Sequence, residues 1–190
     1  KDAGGSLNWS YKGLDMYDNP LAYTEESYTL QTHNLISSLH LSYRLFQGLV
    51  LRSSFGYNSL TNRETSQLPK SSQDPAQFPR ASASFGFNDF ETWITEPRLE
   101  YKKTFGNKNF TILTGGTLQK NTNAQNTVMG FNYANDKLLG SVTGAATTLA
   151  SDAYSEYKYA AMFARMNLNW ANRYLVNLSG RRDGSSRFGP

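Results

Sequence analysis

The feature that most restricts the fold is strict two-residue alternation carried through short turns. In LISSLHLSYRLFQGLVLRSSFGYN, residues 35–58, Leu39, Leu41, Tyr43 and Leu45 alternate with Ser38, His40, Ser42 and Arg44. Past Gln47-Gly48 the pattern resumes, with Leu49, Leu51, Phe55 and Tyr57 set against Arg52, Ser54, Gly56 and Asn58. Side chains alternate between faces along a strand, whereas a helix repeats every 3.6 residues, so this spacing predicts a β-hairpin with one apolar and one polar face. The pattern recurs at 91–120, turning at Gly106-Asn107 or as far as Lys108, and at 157–184, turning at Ala171-Asn172-Arg173. In the second hairpin Trp93, Leu99, Tyr101 and Ile112 oppose Glu96, Arg98, Glu100 and Lys102. In the third, Met162, Ala164, Met166, Leu168 and Trp170 oppose Phe163, Arg165, Asn167 and Asn169. A shorter run at 4–12 reads as one more strand. All three tight turns are expected at one end of a single antiparallel sheet.

The intervals between hairpins choose the architecture. Residues 13–34, 59–90 and 120–156 are rich in Ser, Asn, Thr, Gln, Gly and Pro, lack steady alternation, and read as long loops. Compact domains seldom carry several structureless loops beyond about 12–15 residues, whereas outer-membrane barrels combine short periplasmic turns with long extracellular loops. Strands of about 10–14 residues would suffice for a tilted bilayer pass. Tyr43, Phe46, Tyr101, Phe105 and Trp170 fall near the turn ends, where a barrel carries an interfacial girdle. Composition agrees: the chain has 12 Tyr and 11 Phe but a hydrophobic fraction of 38%, which suits half-buried strands better than an aliphatic core. A mean hydropathy of −0.57 does not decide against a barrel, because alternate residues face a polar lumen. The expected class is all-β, an antiparallel up-and-down transmembrane barrel segment of about six to eight strands. A β-sandwich carbohydrate-binding module in solution and a passive porin remain alternatives. On the barrel reading Leu39, Leu41, Tyr43, Leu49, Leu51, Phe55, Leu99, Tyr101 and Ile112 face lipid, and His40, Arg44, Arg52, Arg98, Glu100 and Lys102 face the lumen.

No catalytic, cofactor or metal site is expected. The chain has no cysteine, and its two histidines, His40 on a strand and His33 in an expected loop, have no acidic cluster beside them. Glu96 and Glu100 share a face with Arg98 and Lys102, so an ion-pair ladder is a better reading than a glycosidase carboxylate pair. Asp183-Gly184-Ser185-Ser186 lacks a neighbouring base and a nucleophile elbow; it reads as a strand nearing the outer rim, its arginines paired with carboxylates on neighbouring strands. Gly115-Gly116 falls mid-strand and reads as a kink or bulge. The sequons at Asn8, Asn109 and Asn177 carry no information in barrel strands. The net charge is +4, but the 19 basic residues are scattered apart from Lys102-Lys103 and the terminal arginines, so no nucleic-acid partner is expected.

Residues 174–190, YLVNLSGRRDGSSRFGP, add something periodicity cannot. They resemble the signature strand of SusC/RagA-type TonB-linked outer-membrane proteins, with Tyr174-Leu175 followed by Arg181-Arg182-Asp183-Gly184-Ser185-Ser186-Arg187-Phe188-Gly189. GLVLRSSFGYN, TEPRLEYKKTFGNKNFTILTGGTLQK and YKYAAMFARMNLNWANRYL are similar, in order, to strands upstream of that signature, so the resemblance covers roughly residues 35–190. It implies that residues 1–190 are part of one receptor barrel of about 22 strands, with the plug and TonB box outside this chain. It also implies an importer of oligosaccharides or oligopeptides in the bacterial outer membrane, lidded by a SusD-like surface lipoprotein and energised by TonB with ExbB and ExbD. The contribution of this segment would be wall and extracellular loops; no substrate-binding residue is singled out.

Overall fold

The computed structural model of the chain describes residues 1, 5–16 and 18–187. Its strands are β1 (Ser10–Tyr11), β2 (Leu14–Asp15), β3 (Ser27–Phe46), β4 (Leu49–Leu68), β5 (Ser82–Phe105), β6 (Lys108–Phe131), β7 (Thr147–Trp170) and β8 (Tyr174–Ser185). β3 to β8 form one six-stranded up-and-down sheet in chain order, and β1 and β2 form a separate two-stranded ladder. No helix among the described residues is long and apolar enough to cross a membrane.

The three tight turns follow from local chemistry. Gly48 has φ 90° and lies against the carbonyl of Lys102, closer than a Cβ would allow, while the Lys102 N–H donates to the Gly48 carbonyl at 2.8 Å. Gly106, at φ 56°, takes the first central position of its turn, where glycine alone avoids a steric penalty. In the third turn Ala171 and Asn172 are left-handed at φ 55° and 53°. Asn169 secures it: its Oδ1 accepts from the Asn172 N–H at 3.1 Å and its Nδ2 donates to Asn172 Oδ1 at 3.0 Å. The Ala171 N–H donates to the Asn107 carbonyl at 2.8 Å. The first and third turns are thus both tied to the second hairpin, and all three share one end of the sheet, as the alternation predicts.

Strand length departs from expectation. The strands of the first two hairpins and β7 run 20 to 24 residues, not 10–14. Residues 59–68, 82–90, 120–131, 147–156 and 27–34, expected as loop, are strand, and the true connections are 69–81 and 132–146. Over 61–67 every residue is polar, and a strand with two polar faces needs no alternation because the ladder supplies its order; over 82–90 Ala83 and Phe85 do alternate with Ser84 and Gly86, and their face is buried. His33 therefore lies in β3. The strand expected at 4–12 reduces to Ser10–Tyr11, which pairs with Leu14–Asp15 (Tyr11 opposite Leu14) and not with the main sheet; Gly4 is outside the described residues.

Contacts divide the chain into two compact units, to both of which β3–β7 contribute residues. One comprises Lys1–His33, Thr61–Asp89 and Ala124–Tyr154. It contains both connections and a small core of Ala81, Ala83, Phe85, Tyr133 and Leu139, against which Val142 and Ala145 pack. The other comprises Asn34–Leu60, Phe90–Asn123 and Ser155–Pro190. It contains the tight turns and the alternating stretches.

Candidate functional site

The second unit carries two faces of opposite chemistry. On the polar face Glu100 accepts from both Arg52 and Lys102. Glu96 pairs with Arg98 at 3.3 Å and accepts from Ser54 at 3.1 Å. Arg44, Arg52, Glu100 and Lys102 line one depression, and His40, Arg52, Glu96 and Arg98 line the next. The expected lumen residues are therefore together, and the Glu96/Glu100 ladder is an ion-pair network. Exposed pairs of this kind contribute about 0–1 kcal/mol each; Arg44, Arg52, Arg98 and Lys102 outnumber Glu96 and Glu100, so the wall is wet and net positive.

On β7 and β8 the register assigns faces residue by residue. Met166 opposes Leu178, Leu168 opposes Val176 and Trp170 opposes Tyr174 on one face; Asn167 opposes Asn177 and Arg165 opposes Ser179 on the other. Arg181 is on the polar face, paired with Asp183 of its own strand at 2.9 Å and donating to Tyr159 Oη at 2.7 Å, while Tyr159 donates to Asp183. The expected cross-strand carboxylate partner is thus replaced by a phenol, and the carboxylate that pairs with Arg181 is Asp183, two residues along the same face of its own strand. Arg182, opposite Met162, is on the apolar face. The strand stops at Ser185; Arg187 lies over the Tyr157 ring at 4.9 Å, and Phe188 and Gly189 are outside the described residues.

The apolar face gathers Leu39, Phe55, Tyr57 and Trp93 into one groove. Alternation along β3, β4 and β5 puts Leu41, Tyr43, Leu49, Leu51, Leu99 and Tyr101 with them, and on β6 Ile112 follows the phase of Leu118. Many of these side chains are exposed, Leu39 at 53% and Leu178 at 57%, which is costly against water and favourable against lipid. At the turn end the face is rimmed by aromatic rings: Trp170 and Tyr174 lie 5.7 Å apart, and Lys108 sits over Trp170 at 4.7 Å. Gly115 and Gly116 lie within β6. A Cβ on Gly115 would come 2.7 Å from the Pro97 carbonyl, and one on Gly116 2.8 Å from the Ala161 carbonyl, so close backbone approach is what they serve.

In the first unit the two connections are fastened together. Asp136 accepts from the Lys70 N–H at 2.8 Å and the Ser71 N–H at 3.1 Å, and the Tyr133 N–H donates to the Ala81 carbonyl at 3.4 Å. Gln73 clips its loop shut, accepting from the Arg80 N–H and donating to the Arg80 carbonyl, both at 3.0 Å. Tyr133 is 1% exposed, and burial pushes its phenol up from the ordinary range. Its Oη has no hydrogen-bond partner among the described residues and rests against Gly130. Sequence reasoning missed this cluster because Ala81, Ala83 and Phe85 alternate over only a few residues at the end of a polar stretch, and Tyr133 and Leu139 lie in a connection that carries no period. Among the described residues no group of three or more His, Asp or Glu could hold a metal ion.

An open up-and-down sheet with a wet, ion-paired face, an apolar face and an aromatic rim is a stretch of β-barrel wall. No protein-family model matches the chain. Over 98% of its length it is 27% identical to TonB-dependent receptor P3 of Formosa agariphila, and over 94% it is 30% identical to TonB-dependent receptor P26 of the same organism. It spans 19% of each, about a fifth of the length of these curated relatives. Among solved structures the RagAB peptide transporter superposes on 99% of the chain with a TM-score of 0.81 at 20% identity, using 22% of that chain. The RagAB peptide importer in its open-open state gives 0.80 at 19% identity over 98% of this chain and 21% of that one. The homologues along most of this chain are TonB-dependent receptors, and its fold is that of a barrel segment of a RagA-like transporter, as the signature strand implies.

Proposed function

We propose that residues 1–190 are wall and outer loops of an integral outer-membrane importer that depends on TonB and takes up an oligopeptide or oligosaccharide. The observation that carries this reading is the two-faced sheet, on a chain whose relatives are TonB-dependent receptors. In this reading TonB, ExbB and ExbD act through parts outside the chain, a SusD-like surface lipoprotein covers the mouth, and the chain itself performs no catalysis. The connections 69–81 and 132–146 are the extracellular loops, with a preorganised polar surface for cargo or lid.

The loop test must respect the observed strand ends. Excising 120–156 would remove ladder residues from β6 and β7, so the informative change replaces 134–144 by a short Gly-Ser link in the receptor that carries this segment. Uptake or co-purification of the lipoprotein should fall while the barrel stays inserted, because loop excision leaves strand pairing intact. Protease added to intact cells should cut within 132–146. Protection until the outer membrane is breached refutes the orientation. Uptake undiminished in cells lacking TonB identifies a passive porin.

A further inference from the structure

One groove on the apolar face is left unexplained by a wall. Trp93, Leu118, Ala160 and Gly184 form an apolar depression of about 400 Å³ edged by Lys120 and Lys158. Ala160 opposes Gly184 in the β7–β8 register, so the floor is low because both members of that pair are small. Glu156 lies between the lysines, 2.7 Å from Lys120 and 2.5 Å from Lys158, leaving the triad with one net positive charge.

The groove lies the same number of residues from the turn end on all four strands. Trp93 lies twelve residues before Phe105 at the end of β5, and Lys120 twelve after Lys108 at the start of β6. Lys158 lies twelve before Trp170, and Ser186 twelve after Tyr174. At about 3.3 Å per residue and a strand tilt of about 40°, twelve residues rise about 30 Å, one hydrocarbon thickness. The aromatic rim at the turns marks one interface, and the lysine pair marks the other.

We propose that this groove binds one anionic lipid of the leaflet farther from the turns, its phosphate at Lys120 and Lys158 beside Trp93 and an acyl chain running from there toward the turns along Leu118 and Ala160. Charge complementarity selects the occupant: a net positive pair at headgroup height above an apolar channel matches a phosphate joined to a hydrocarbon chain. A neutral lipid satisfies the channel but not the lysines. The inference rests on the barrel reading above, and its test separates the two.

The receptor that carries this segment is reconstituted into vesicles containing dibrominated phosphatidylglycerol or dibrominated phosphatidylcholine, and quenching assigned to Trp93 is obtained by difference from Trp93→Phe. One net lysine charge near a headgroup corresponds to about a fivefold preference for the anionic lipid; Lys120→Gln or Lys158→Gln alone, which makes the triad neutral, should bring that preference to unity, and Lys120→Gln/Lys158→Gln, which leaves Glu156 alone, should reverse it while quenching persists. Equal quenching by both lipids in the wild type, or an unchanged preference in the double variant, overturns the lipid site and leaves the barrel intact. Absence of quenching by either lipid overturns the barrel reading itself.

Discussion

Gly180 offers a clean probe of which face meets lipid. It opposes Ala164 in the β7–β8 register, on the same face as Leu178 and Val176, and a Cβ placed there meets nothing within 4 Å. It lies six residues from Tyr174, so at about 3.3 Å per residue and a tilt of about 40° it is about 15 Å above the turn-end interface, near midplane. Gly180→Arg therefore adds no clash and puts a charge where an arginine side chain cannot reach headgroups; the expected cost is about 2–4 kcal/mol, roughly 30- to 900-fold in the folding equilibrium. Gly180→Leu should be neutral or stabilising, since a strand glycine gives up about 0.5–1 kcal/mol. Asn177→Arg, on the polar face opposite Asn167, should cost nothing measurable, because Asn167 Oδ1 lacks a hydrogen-bond partner among the described residues and would accept from it. Urea unfolding midpoints of the receptor in lipid vesicles give all three values. If Asn177→Arg destabilises and Gly180→Arg does not, the face assignment for β8 is inverted, since a one-residue slip exchanges the two sets.

Ala171→Gly relieves a left-handed alanine, whose cost is about 1–2 kcal/mol for an L-residue. The urea midpoint should rise by the equivalent of about 1 kcal/mol; a fall means the alanine methyl is a needed contact. Gly130→Ala drives a methyl into Tyr133 Oη and brings it 3.0 Å from Ala145 Cβ, an overpacking expected to cost about 1–3 kcal/mol locally. Hydrogen exchange at the Tyr133 amide should accelerate without loss of the barrel, and Tyr133→Phe, which removes a hydroxyl that has no partner among the described residues, should restore protection. No rescue would place the strain elsewhere.

What was legible in the sequence follows from where one face meets a different solvent from the other. Residues 35–58 had to alternate, and their turn and faces could be read from that alone. Residues 59–68, SLTNRETSQL, and 120–131, KNTNAQNTVMGF, have partners on both edges and mostly polar side chains, with their few apolar residues at no steady spacing, so nothing in their order distinguishes them from a loop. Tyr133 and Leu139 were illegible for the opposite reason: they are deeply buried, but against Ala81, Ala83 and Phe85 some fifty residues away. The signature strand identified the kind of wall; it could not say that Arg181 would pair with Asp183 beside it.

The common twelve-residue spacing has a consequence for how such a wall can change. Removing one residue between Phe105 and Trp93 would exchange the faces of everything beyond it. Removing two would preserve the faces but lower the tryptophan by about 5 Å relative to Lys120 and Lys158. Length in this stretch is therefore a shared property, and a change in one strand demands matching changes in its neighbours. Insertions and deletions should concentrate in 69–81 and 132–146, so the molecule can vary those connections while the thickness of its wall stays inherited.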